Sequence, residues 1–484
     1  MTGRRSLLCW LCLATLISAP LTAAHAGGFI LTSMGGRRMA ALANIASVDE
    51  ATALVHNPGA LADIPGTTLY LSNVMVFVET QFWLRQLDET RYPELNPPGC
   101  GTAGHAPCPW PVGPDGFYTK PIVPEANVGI LPYAAVTSDL ARWGRRDIVV
   151  GLALYLPGFF GAVLPADAPS QYNFISGNFA MGTATFGASW RINDKIAVGG
   201  TLSYNLMRMA FTRRMSLIST LTDLVSVPGL EAETAQLLLG DITVDFTGID
   251  HGMSWGLGLK ITPLPWLILG FNYSGSTPAQ YDGGVSFSAQ RNPSQLPVLL
   301  DTAGVKLPTA LKIKIEIPHS LGVGFTVIPH RQVEISVDAR FWLYQLLDDL
   351  KVTPVYDAKQ PGREVIDAAS LTQTNFYDLS YEFGIGVLVR PLRTLPKLEV
   401  MAGFSYDKSP VEDPAFSLSS PSMSSYNLSF GVRYTFAGRW RLLASYLLYE
   451  LIERDIRNSV SQPPSNGRGA GRSHLPSLEL QYTF

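Results

Sequence analysis

The chain has little charge and few cysteines for its length. Of its 484 residues only 15% are Asp, Glu, Lys or Arg, where a soluble domain carries about 25%. A net charge of -3 offers nothing to a polyanion and argues against a nucleic-acid partner. After the N-terminus no apolar run approaches the ~18 residues of a membrane helix. Helical spacing of apolar residues is also rare, which excludes helical bundles.

Four cysteines are present. The first two, Cys9 and Cys12, sit in MTGRRSLLCWLCLATLISAPLTAAHA, where Arg4 and Arg5 precede an apolar core and Ala24-His25-Ala26 forms a small-x-small cleavage site. Residues 1–26 read as a secretory signal, so the mature chain is exported. That leaves Cys100 and Cys108 in the Pro- and Gly-rich stretch PPGCGTAGHAPCPWP, where export favours a disulfide. Two thiols and His105 fall short of a metal site, and no cofactor is expected.

What the sequence does have is alternation. In SLELQYTF, Leu478, Leu480, Tyr482 and Phe484 share one face, while Glu479, Gln481 and Thr483 share the other. The same period of two runs through KIKIEI, QVEISVDARF, NLSFGVRYTF, MSWGLGLKI and LILGFNYS, the signature of strands. Strands are expected to begin near 67, 127, 147, 179, 195, 241, 266, 309, 331, 375, 396, 423, 440 and 472. Links after even-numbered strands are short turns such as NDK, IPHR and AGR, and links after odd-numbered strands are long. That regular alternation predicts an all-β transmembrane antiparallel barrel with short periplasmic turns and long extracellular loops. Glu334, Asp338 and Arg340 share one strand face, and Lys312, Lys314 and Glu316 another. Both sets are expected to point into a polar lumen, because burial in a dry core would be costly.

Residues 27–66 precede the first strand and are rich in Ala, Gly and Ser, a composition suited to a plug inside the barrel. Asn57-Pro58-Gly59 marks a turn within it, Pro58 fixing one backbone angle and Asn57 able to bond nearby backbone. The expected domains are therefore a signal (1–26), a hatch (27–66) and a barrel (67–484).

The stretch GGFILTSMGGRRMAALANIASVDEATALVHNPGAL resembles the hatch of the FadL family of outer-membrane long-chain fatty acid and hydrocarbon transporters, with Gly28-Phe29 at its start and Asn57-Pro58 matching an Asn-Pro-Ala motif. Gly59 stands where Ala is usual. The resemblance continues through SWRINDKIAVGGTLSYNLMRMAFTRR, IPHSLGVGFTVIPHRQVEISVDARFWLYQLLDDLKVTP and YDKSPVEDPAFSLSSPSMSSYNLSFGVRYTF. In the last, Asp407, Ser409, Pro410 and Val411 match the family, but Pro421-Ser422-Met423-Ser424-Ser425 lacks its charged turn. The resemblance implies about fourteen strands, a hatch gated by Phe29, Asn57, Pro58 and Gly59, capture of an apolar ligand by outer loops, an internal pocket, and exit past the hatch or through the wall. The implied partners are a long-chain fatty acid or other hydrophobic small molecule and outer-membrane lipid, with the protein a monomer. Residues 215–240 suit the capture role through Leu221 and Leu224, which fall at helical spacing with their apolar neighbours. For a ligand carboxylate the resemblance points to Arg208 and Lys351. Counting along the strand, however, puts Arg208 on the lipid face and Arg213 on the inner one.

Two other functions compete. An open diffusion porin for small polar solutes would share the barrel but needs no hatch. A serine esterase would rest on Gly252-Met253-Ser254-Trp255-Gly256, which fits G-x-S-x-G; that elbow requires a following helix, and here the strand pattern continues.

Overall fold

The computed structural model describes residues 34–96, 99–102, 105–125, 128–223, 231–364, 377–391, 394, 397–419 and 421–484. The expected signal and Phe29 lie outside them. Alternating side chains build fourteen antiparallel strands closed into a barrel. These are β1 (Thr67–Leu84), β2 (Val128–Ser138), β3 (Ile148–Val163), β4 (Ser176–Asn193), β5 (Ile196–Met215) and β6 (Ile242–Leu264). Next come β7, in two pieces (Leu267–Ser274 and Thr277–Ala289), β8 (Ala310–Ile317 and Ser320–His330) and β9 (Val333–Trp342 and Lys351–Val355). The last five are β10 (Ser380–Val389), β11 (Leu398–Lys408), β12 (Ser425–Phe436), β13 (Trp440–Ile456) and β14 (Gly467–Thr483). The barrel closes where β1 pairs with β14, from Thr68 opposite Thr483 to Leu84 opposite Gly467. Closure removes the free edges of the first and last strands.

Residues such as Trp190, Leu202, Trp255, Leu257, Phe404 and Phe430 point outward and are exposed in the isolated chain, as a lipid-facing band requires. Inside the lower barrel lies the segment from Met34 to Ile64, almost wholly buried. It forms two short helices, α1 (Gly36–Ala41) and α2 (Ala53–His56), then a 3-10 turn, Pro58–Asp63.

One expectation is reversed. Glu334, Asp338 and Arg340 do face the lumen, where they bond to the buried segment. Lys312 and Lys314 instead point outward and are exposed, Lys312 lying 3.9 Å from Asp282, with Leu311 and Ile313 buried inside. Asp245, Asp282 and these lysines place the upper ends of β6–β8 in water above the apolar band, so there the polar face is the outer one.

Candidate functional site

The inner face of the upper barrel is apolar. Phe179, Met181, Met207, Val244, Phe246 and Tyr281 form one buried cluster with Leu311, Ile313 and Ile317 from β8, and Met209, Phe211, Met215 and Leu217 pack at its margin. Above it a second cluster gathers Tyr92, Trp110, Tyr118, Tyr172, Phe174 and Phe416 from the long loops. Two helices, α3 (Leu217–Asp223) and α4 (Ala232–Leu239), follow β5 at this rim, as the apolar helical spacing in residues 215–240 predicts. They are tied to each other, Gln236 receiving the amide of Leu217 at 2.8 Å and donating to Asp241 at 2.9 Å, and to the first loop, where Tyr92 meets Ser219 at 3.3 Å. The side chains of Leu221 and Leu224 lie outside those described. Cys100 and Cys108 are joined as a disulfide in the first loop, their Cα atoms 4.8 Å apart.

The register decides which basic residue faces the chamber. Pairing between β5 and β6 runs unbroken from Ile196 to Met215, so no bulge shifts the phase. Ser203, Asn205 and Met207 are buried inward, which puts Arg208 on the outer face, where it donates to Asn178 at 2.9 Å. Lys351 is likewise exposed and lies opposite Lys314, while its neighbour Val352 packs inward. Neither residue proposed from the resemblance therefore reaches the lumen. Arg213 does. It stands between Phe211 and Met215 on the inner face and has no ion pair or hydrogen bond among the described residues.

Below the apolar chamber a cavity of about 140 Å³ separates it from the buried segment. Its floor is Leu54, Val55, His56 and Pro58, and its walls carry Tyr155, Asn205, Ser254 and Asn272. Thr183 donates to Asn205 at 2.7 Å and Asn205 to Ser254 at 3.0 Å, while Asn272 donates to the carbonyls of Val55 at 3.0 Å and His56 at 2.6 Å. Ser254 sits mid-strand on β6 with this amide as its partner, so the G-x-S-x-G match builds no nucleophile elbow.

The cavity borders two interruptions in the wall. On one side, β3 pairs with β2 only from Val150 to Tyr155, and its register on β4 shifts between Tyr155 and Gly158, around Pro157. On the other, β6 pairs with the two pieces of β7 below and above but not across Asp250–Ser254, Trp255 accepting the Gly275 amide at 2.9 Å. There side chains replace the missing strand partner. Asp250 accepts from the Gln280 amide at 2.5 Å, and His319 accepts from the Ser276 amide at 3.1 Å.

The buried segment is fastened to the wall by close backbone contact and by charge. Asn57 donates to the carbonyls of Ile45 at 2.8 Å and Leu259 at 3.1 Å, and accepts the Gly59 amide at 3.0 Å. The turn can lie against the strands because two facing residues are glycine. A Cβ at Gly199 would come within 2.3 Å of the Pro58 carbonyl oxygen, and one at Gly258 within 2.3 Å of Asn57 Oδ1. At the other end Arg37 pairs with Glu334 at 2.7 Å, Arg38 with Glu382, and Asp49 with Arg433 at 2.7 Å. Glu479, from the C-terminal strand, accepts the Gly36 amide at 2.6 Å. Burial and the neighbouring Asp49 push the Glu50 carboxyl up to about 8. Burial opposes the ionisation of Asp49, but Arg433 and Arg441 hold it well below the usual carboxylate range. Sequence reasoning marked Asn57-Pro58 but not these ion pairs, whose partners lie hundreds of residues apart.

A family model described as "Outer membrane protein transport protein (OMPP1/FadL/TodX)" matches residues 146–484. Among solved structures, a FadL homologue of Pseudomonas aeruginosa superposes with a TM-score of 0.74 at 12% identity, covering 95% of this chain and 100% of that one. The toluene transporter TodX of Pseudomonas putida gives 0.65 at 15% identity, covering 96% and 99%. The toluene transporter TbuX of Ralstonia pickettii gives 0.59 at 16%, covering 95% and 98%. At these identities the structures support the fold alone. No curated protein matches the sequence.

Proposed function

Because this chain belongs to the OMPP1/FadL/TodX family of outer-membrane transport proteins, whose members carry hydrophobic compounds, we propose that its own cargo is a long-chain fatty acid. The observation that carries this reading is Arg213. A guanidinium with no ion pair or hydrogen bond among the described residues, placed between Phe211 and Met215 at the margin of an apolar chamber, is an expensive feature unless an anion joins it. A fatty acid supplies both halves, a carboxylate for Arg213 and an acyl chain for the cluster around Phe246 and Leu311. An aromatic hydrocarbon would use the chamber and leave the cation bare.

In this reading ligand is collected among the α3–α4 loops, held in the chamber, and passed to the cavity above the Asn57 turn. From there it leaves through an interruption in the wall or past a displaced hatch. What speaks against an open pore for polar solutes is the filled lumen. The protein acts as a monomeric channel and performs no chemistry on its cargo.

The test is uptake of a labelled long-chain fatty acid and of an alkane of similar length by cells producing the Arg213→Gln variant. Fatty acid uptake at low concentration is expected to fall about tenfold or more, as loss of one charge-assisted hydrogen bond implies, with alkane uptake unchanged. Equal effects on both, or none on either, would remove the case for an acid.

A further inference from the structure

The end of the barrel opposite the loops carries a feature that ligand transport does not use. Six basic side chains, Arg142, Arg146, Lys195, Arg331, Lys397 and Arg439, project from five of the six short turns and are exposed. None has an ion pair or side-chain hydrogen bond among the described residues. Carboxylates on the same rim are mostly committed elsewhere. Asp147 holds Arg145 at 2.9 Å, Asp139 accepts the backbone amides of Gly66 and Ala141, and Asp63 pairs with Lys260 and Arg191, leaving Asp194 beside Lys195.

The loop end of the barrel behaves differently. Several of its outward cations are matched by acids on neighbouring strands, Lys312 by Asp282 at 3.9 Å, Arg472 by Glu450 at 3.4 Å and Arg468 by Glu453 at 3.9 Å, while Lys314 and Lys351 lie opposite each other. At the turn end, by contrast, cations without an ion pair among the described residues recur on five separate turns.

From this arrangement we infer that the periplasmic rim is a binding site for anionic phospholipid headgroups of the inner leaflet. The cations are interleaved with the aromatic side chains that mark the membrane interface. Trp143 adjoins Arg142, Trp440 adjoins Arg439, and Trp190 and Trp266 stand exposed on β4 and at the β6–β7 turn. Indole rings sit at headgroup level, so basic side chains on the adjoining turns reach the phosphates. Their spread over five turns fits lipids that surround the barrel. A folded acidic partner would meet a single patch instead.

The inference is independent of what the protein transports. It is tested by native mass spectrometry of the purified full chain, released from detergent containing equal amounts of phosphatidylglycerol and phosphatidylethanolamine. The protein is expected to retain phosphatidylglycerol at least about fivefold over phosphatidylethanolamine, the factor one surface cation contributes beside an anionic bilayer. Added salt should lower the preference, and inorganic phosphate at equal ionic strength should lower it no further. Changing the six residues to Gln should abolish it in protein shown to be folded by heat-modifiable migration. Changing Lys312 and Lys314 to Gln, at the other end, should leave it intact. Equal retention of the two lipids by the unmodified chain overturns the inference, as does a preference that survives the six substitutions or is lost with the two lysines.

Discussion

Replacing Asn57 by Ala removes one small side chain from the turn beneath the cavity and tests whether the segment inside the barrel is a closed gate. The side chain is wholly buried and makes three hydrogen bonds, to Ile45, Leu259 and Gly59. A net contribution of about 1 kcal/mol for each, with an added penalty for carbonyls left dry, gives roughly 3 to 5 kcal/mol. Part of this will be recovered by water reaching the turn from the cavity, so about 3 kcal/mol is the working figure. At 1.4 kcal/mol per decade that is on the order of a hundredfold rise in the population with the turn detached. The barrel itself should be unaffected, because none of the strand ladder depends on Asn57. In planar bilayers the variant is expected to show brief conducting events that are rare in the unmodified protein. Deleting residues 30–62 should make conduction continuous. A folded, inserted Asn57→Ala protein as silent as the unmodified chain would refute the energetic reasoning. A silent deletion variant would refute the hatch itself.

Two further outcomes follow from the hatch charges and the first loop. Glu50 is a carboxyl whose value in the folded protein is raised to about 8, above its ordinary value, so its protonated form favours the seated hatch. That contribution is complete at low pH and is lost as pH rises through the interval from the ordinary carboxylate value up to about 8. Conducting events should therefore become more frequent over this interval and level off above it, and Glu50→Gln should weaken the dependence; an unchanged profile in that variant would exclude Glu50 as a source. Denatured, unreduced protein should show no thiol from Cys100 or Cys108, and reduction should loosen the first loop while costing the barrel little, because the closed ring is small and the gain from such a bond is about 2 to 3 kcal/mol.

The strand ladder was legible in the sequence because period-two alternation and turn residues are local properties. Twelve of fourteen expected strand starts fall within three residues of the observed ones; β10 begins at Ser380 where the reading began near 375, and β14 begins at Gly467 where it began near 472, the residues Gly467 to Gly471 carrying no large apolar side chain to reveal the alternation. The turn at Asn57-Pro58 was legible for the same reason, since Pro and Asn act on their own backbone. Alternation names two faces of a strand without saying which one is inside. For Glu334 and Asp338 the polar face is inside because the hatch supplies Arg37 and the Asn44 and Ile45 amides. For Lys312 it is outside because that part of β8 stands above the membrane band and its apolar side closes the chamber. Counting along the strand already gave Arg208 an outer and Arg213 an inner place, but only closure of the barrel, which brings β5, β6 and β8 around one lumen, sets Arg213 at the margin of that chamber and turns Lys351 away. The contacts that seat the hatch, Gly36 on Glu479 and Asp49 on Arg433, join residues 443 and 384 positions apart. No local pattern encodes such pairs, because their energy exists only once the first and last strands have met.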